Sequence, residues 1–193
     1  MIKKKGMFIA TQLFSFEPFK GKANDFFEKM KLAKTSLHLK ALMLGANLKE
    51  NELRYVMGVC DKLAIEKYLW FPLLADVPKG VDISPLLLEG LGDEGETFIL
   101  NQQKESGEDF GFLCPVKACN SPELYQFYDR YLELYAFDGV FLDKIRYPSP
   151  ANGLANLIGC QCPSCRKMYA ENNLKPKLLF DDLFNQIRQV ASV

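Results

Sequence analysis

The sequence predicts an α/β fold, a (β/α) barrel-like arrangement in the form of an N-terminal half-barrel of four βα units. Three observations predict it. Four short apolar runs, MFIATQLF, LHLKALML, YLWFPLL and VFLDKIRYP, alternate with stretches of helical periodicity. Their cores are continuously apolar, as in parallel strands buried on both faces. The residues after the first run, SFEPFKG, hold no glycine-rich phosphate loop, which argues against a dinucleotide-binding sheet.

Each element has its own signal. Met7 to Phe14 reads as the first strand, followed by a loop with Pro18 and Gly21. Asn24 can cap a helix over DFFEKMKLAK, where Phe26, Phe27, Met30 and Ala33 share one face. Leu37 to Leu44 is the second strand, ended by Gly45. Asn47 or Glu50 opens the helix NELRYVMGVCDKLAIEK, with Leu53, Val56, Met57, Cys60 and Leu63 along its apolar side. Tyr68 to Leu74 is the third strand.

A long excursion follows over 75–120, punctuated by glycines and carrying two strand-like pieces, TFIL and FGFL. Excursions of this length are functional or form a small hairpin. Ser121-Pro122-Glu123 starts a third helix, with serine at the cap and proline in the first turn. Phe137-Asp138-Gly139 turns into the fourth strand. A loop then leads to a cysteine-rich segment at 159–169 and a short helix. KLLFDDLFNQIRQVAS closes the sequence as an amphipathic helix after Pro176. The expected organisation is one domain over 1–193.

Composition narrows the function. The 193 residues are 48% hydrophobic and 25% charged, ordinary for a globular core. Twenty-four basic residues balance twenty-four acidic ones, so no global field recruits nucleic acid or an anionic membrane. No apolar segment is long enough to span a bilayer. The basic start MIKKKGMFIATQLF lacks a small-residue cleavage site, and the chain reads as cytoplasmic.

GCQCPSCRKMY concentrates the chemistry. Three of six cysteines, Cys160, Cys162 and Cys165, fall at C-x-C-x-x-C around a proline. Cys60 sits on an apolar helix face and reads as core. Cys114 and Cys119 precede the third helix, at the end of the layout where the cluster also lies. Either can supply the fourth sulfur of a tetrahedral zinc site. Scattered buried thiols, a disulfide and an iron–sulfur cluster are the other readings of the same residues. A reducing compartment and the dense spacing favour zinc.

ACNSPELYQFYDRYLELY, FDGVFLD and CQCPSCRKMY together resemble glycoside hydrolase family 42, the zinc-carrying bacterial β-galactosidases. The likeness runs from about Ala118 to Tyr169. It implies that Cys119, Cys160, Cys162 and Cys165 ligate zinc, leaving Cys114 free. It further implies a structural zinc that ties the loop after strand four to the start of the third helix. Four thiolates leave no open position for water.

FDGVFLDKIRYPSP resembles a strand-four phrase of glycoside-hydrolase-like barrels, matched at Asp143, Arg146 and Tyr147. The resemblance implies carbohydrate binding or glycosidic cleavage with Asp143 as the central carboxylate. Family 42 ends this strand Asp-Asn-Glu, with the glutamate as acid; here Lys144 and Ile145 follow Asp143, so that acid is missing. Neighbouring cations suit Asp143 to act as base or ligand. Asp143 with Arg146 as a structural ion pair is the plainer reading.

Sugar hydrolysis needs a second carboxylate, and Asp76 after strand three is the in-chain candidate. Arg146, Asn47, Gln12 and Trp70 are candidate substrate-binding residues, offering a cation, amides and a stacking face. Each also reads as a rim or packing residue. His38, the only histidine, lies near a strand start, the wrong end for catalysis.

Four units fall short of the roughly 250 residues and eight strands of a full barrel. Bare edges at strands one and four are an aggregation liability, so a homodimer or another partner completing the barrel is expected. The rival to a glycosidase is a non-enzymatic, zinc-stapled binding or assembly module.

Overall fold

In the computed structural model the described residues are 8–77, 80–91, 97–99, 111–148 and 159–175, with Asn185 and Gln189. In chain order the elements are β1 (Ile9–Leu13), α1 (Ala23–Ser36), β2 (Leu39–Gly45), α2 (Glu50–Leu63), β3 (Glu66–Pro72), β4 (Glu89–Leu91), β5 (Thr97–Ile99), α3 (Pro115–Ala118), α4 (Pro122–Leu134), β6 (Gly139–Asp143) and α5 (Pro163–Glu171). They fall into two compact units. One takes the described residues up to Phe71 together with Gln126–Asp143; the other takes Pro72–Tyr125 and the described residues from Lys144 onward.

The first unit holds a parallel sheet alternating with helices, in the strand order β1-β2-β3-β6. β1 pairs in parallel with β2, and β2 with β3, placing Gln12 beside Met43, Met43 beside Tyr68, and Gly45 beside Trp70. Strand side chains alternate between faces, and the two faces differ. Leu42 and Leu44 of β2 pack with Phe26 and Met30 of α1 and with Leu53, Val56, Met57 and Cys60 of α2 into one apolar core. Phe71 of β3 lies against Tyr128 of α4 on the same side.

The opposite face carries Trp70 and Asp143, joined by a hydrogen bond of 2.8 Å. Phe14, just past β1, meets the Trp70 ring edge-on with centroids 4.6 Å apart. The Tyr68 ring lies against Gly139, where a Cβ would come within 2.8 Å of it. Gly139 therefore gives this aromatic ring its seat beside β6.

Local chemistry explains the helix ends. α2 opens at Glu50 because the Lys49 N–H donates to Glu52 Oε2 at 3.2 Å, half of a capping box. It stops at Leu63, short of the expected Lys67, because Ala64 takes a left-handed conformation at φ +50°. The freed residues Glu66 and Lys67 begin β3. α1 starts one residue ahead of Asn24, which lies in its first turn and does not cap it. α4 begins as the sequence expects: Ser121 Oγ accepts the Leu124 N–H at 3.4 Å, with Pro122 in the first turn. The closing amphipathic helix of the sequence falls outside the described residues apart from Asn185 and Gln189.

The described part of the excursion lies in the second unit. β4 and β5 pair antiparallel, with Glu89 opposite Ile99, so Thr97–Ile99 of the TFIL piece does form a strand. The FGFL piece bridges Phe112 to Ala75 and Leu113 to Leu87. Leu113 N–H donates to Leu74 O at 2.7 Å, and Leu88 N–H to Phe112 O at 2.8 Å. No helix among the described residues is long and apolar enough to cross a membrane.

Candidate metal centre

The second unit gathers four buried cysteines, Cys114, Cys160, Cys162 and Cys165, with all four sulfurs within 4.8 Å of one another. Cys114 Sγ lies 3.3 Å from Cys165 Sγ and 3.8 Å from Cys162 Sγ. Four sulfurs on one tetrahedral zinc, at about 2.3 Å each, stand about 3.8 Å from one another. The observed separations bracket that edge. Such a group can hold a metal ion.

Backbone geometry delivers each sulfur. Cys114 occupies the position before α3 and Cys162 the position before α5, and a proline follows each as the first helical residue. A helix cap takes extended backbone, and proline at the next position fixes the helical φ. Cys165 then falls in the first turn of α5. Gly159, immediately before Cys160, sits at φ +82°, and a Cβ there would lie 3.0 Å from Tyr169 Oη. Both the backbone and the space call for glycine.

The surroundings are apolar, with one charged pair at their edge. Ala75, Leu88 and Phe112 enclose the sulfurs, and Val116 and Tyr169 pack beside them. Glu89 N–H donates to Cys160 Sγ at 3.5 Å, while Glu89 O accepts from Gln161 N–H at 2.8 Å. Lys117 Nζ reaches Glu89 Oε1 at 2.6 Å, with both side chains mostly buried. Burial pulls the Lys117 ammonium down, but Glu89 and then the sulfurs of Cys162 and Cys114 outweigh it and hold the lysine charged. That ammonium is suited to offset the negative charge of four thiolates around a divalent ion.

Without a metal, Cys160 and Cys165 hold their protons more tightly than ordinary thiols do. Burial pushes the Cys165 thiol up to about 12. Cys160 is raised too, first by its hydrogen bond with Cys114 and then by burial. Loading a metal must therefore expel these protons. Cys60 lies apart, fully buried in the first unit's core, where burial raises its thiol to about 12.

The structure treats the sequence-predicted site residues unevenly. It joins Cys160, Cys162 and Cys165 to Cys114, where the resemblance pointed to Cys119. Cys119 ends α3 with its side chain exposed, outside the four-sulfur group. The Cys-Pro dipeptide, present only at Cys114-Pro115 and Cys162-Pro163, was the signal for the fourth member. Asp143 and Trp70 are brought together by their hydrogen bond. Gln12 stands exposed on β1, in register with Met43. Asn47 is exposed in the turn after β2. Arg146 and Asp76 belong to the second unit. Arg146 lies over the Phe112 ring, 5.3 Å from its centre, and donates to Tyr147 O at 3.2 Å. Asp76 takes a left-handed backbone at φ +56°.

No family model matches the chain, and neither a curated protein nor a solved structure does.

Proposed function

We propose that this chain is a zinc-stapled, half-barrel-like protein that binds carbohydrate on one face of its parallel sheet. The observation that carries the metal assignment is the group of four buried sulfurs spaced for a single tetrahedral ion. Four thiolates saturate zinc, so the ion is structural and ties Cys114 in the excursion to the Cys160–Cys165 segment. Its binding energy is folding energy for a unit with a small apolar core.

The carbohydrate assignment rests on the sheet face. Phe14 packs edge-on against Trp70, which is itself nearly buried and donates to the Asp143 carboxylate, so Phe14 and Asp143 carry the exposed part of this face. Aromatic faces pack on the C–H side of sugars, and a carboxylate accepts from hydroxyl groups. The sequential strand order supports the half-barrel reading, because neighbouring strands in a barrel follow chain order. β1 and β6 end the sheet, and a second copy is the partner that would pair with them.

Glycosidic cleavage is the second reading, favoured by one observation: Asp143 ends β6 at its carboxyl edge, where barrel enzymes keep their chemistry. It requires a second carboxylate at a spacing of about 5–5.5 Å or about 6.5–9.5 Å. Asp143→Asn separates the readings. Turnover of aryl glycosides that vanishes in Asp143→Asn marks an enzyme, whereas sugar binding without turnover, weakened in Asp143→Asn, marks a binding module. Native mass spectrometry of untreated protein tests the rest. One zinc per chain in a dimer is expected; a metal-free monomer defeats both the staple and the pairing.

A further inference from the structure

Away from the cysteines, the first unit has a cleft of about 220 Å3 between the turn after β2, the start of α2 and one side of α4. Phe127 and Tyr131 of α4 and Tyr135 just past its end recur every four residues, so their rings form a ladder along one side. Successive centroids are 5.2 and 5.9 Å apart, with the planes 38° and 35° from parallel. The rings are held in place. Tyr131 Oη donates to Ala46 O at 2.7 Å, and the Arg54 guanidinium lies over Tyr135, 5.4 Å from its centre. Buried Leu48 adds to the apolar lining.

Two opposite charges border this aromatic wall, and only one is committed. Glu50 Oε1 accepts from Arg54 Nε at 3.1 Å and Nη2 at 2.9 Å, so its charge is answered within α2. Arg130 is exposed and has no ion-pair partner among the described residues. It stands near enough to Tyr131 to oppose the upward shift that burial gives that hydroxyl. The cleft thus presents an apolar, aromatic surface with an uncommitted guanidinium at its border.

We propose that this cleft binds a small monocarboxylate carrying a single ring, with the ring against Tyr131 and Tyr135 and the carboxylate on Arg130. The planar fork of arginine matches a carboxylate through two parallel hydrogen bonds. The volume lies below the roughly 300–1,000 Å3 of sites for drug-sized ligands, which restricts the occupant to about one ring. Aromatic acids and uronic acids share this chemistry. The proposal depends neither on the metal nor on the sheet face.

Isothermal titration calorimetry on the full chain, with phenylacetate and glucuronate as probes, tests it. Neutral 2-phenylethanol and methyl glucoside serve as controls. Saturable binding of at least one acid is expected, with the neutral counterparts failing, and the acid that binds identifies the source. Arg130→Gln should weaken that acid about tenfold or more, the worth of a charge-assisted hydrogen bond. Arg130→Lys, which keeps the charge and loses the fork, should fall between. Arg130 is exposed, so these variants retain the fold, which circular dichroism checks. The proposal is overturned if neither acid binds by about 10 mM. It is equally overturned if the neutral counterparts bind as well, or if Arg130→Gln leaves the affinity unchanged.

Discussion

Cys114 Sγ lies 3.3 Å from Cys165 Sγ, although fifty-one positions separate the two residues in the chain. That contact makes the excursion after β3 and the segment before α5 a single chemical object. It also gives an exchange test. Cys114→Ser should lower metal affinity by more than the roughly 10–100-fold that changes outside the ligand shell produce. Cys119→Ser should leave metal content at the wild-type level. Competition with a chromogenic chelator measures both, and equal losses would show that the fourth ligand is misassigned.

Gly159 supplies a test of the loop that is independent of the sulfurs. Alanine there must hold φ near +82° and fit a Cβ 3.0 Å from Tyr169 Oη. A left-handed backbone costs an L-residue about 1–2 kcal/mol before the contact is counted. Gly159→Ala should lower the melting temperature of the metal-loaded protein by several degrees and speed metal release to a chelator. A melting curve that overlays the wild type would remove the argument for strain.

The chain has one tryptophan, and its indole N–H donates to Asp143 Oδ2 at 2.8 Å. Trp70 fluorescence is therefore a reporter of the proposed sugar face. Asp143→Asn keeps an acceptor oxygen and should leave the emission maximum near its wild-type position. Asp143→Leu leaves a mostly buried N–H without that acceptor, at a cost of about 1–3 kcal/mol, and should both shift the emission and lower stability. Identical spectra for all three proteins would show that the bond does not persist in solution.

Cys60 predicts alkaline weakening of the first unit. Its thiol is raised by burial from 9.0 to about 12, so the unfolded chain loses this proton before the folded one. The stability tied to that proton is complete below pH 9 and is lost as pH climbs through the folded value. Denaturant unfolding of the metal-loaded protein should show stability declining above pH 9, and Cys60→Val should flatten that decline. An unchanged slope in the variant would assign the effect to other groups.

The strand–helix alternation was legible because each strand carries a short apolar stretch between helical periodicities, although the outer strands β1 and β6 leave Gln12, Val140 and Leu142 exposed rather than buried on both faces. The three-sulfur cluster was legible for a similarly local reason. The choice between Cys114 and Cys119 stayed open in the sequence, because the place of Cys114 is set by pairings remote in sequence: Ala75 with Phe112, and Leu87 with Leu113. One turn of α3 separates it from Cys119, enough to leave one sulfur buried and the other exposed. Asp143 stood out as a strand-end carboxylate, and Trp70 as a solitary indole, yet their hydrogen bond depends on β6 lying next to β3. That adjacency is a property of the sheet, unreadable from either strand alone.

X-ray absorption at the metal edge of the protein as purified tests the central claim most directly. The account predicts zinc with a single shell of four sulfurs at about 2.3 Å, preserved in Cys119→Ser and broken in Cys114→Ser. A shell mixed with nitrogen or oxygen in the unaltered protein, or one that Cys119→Ser disrupts while Cys114→Ser does not, would contradict it.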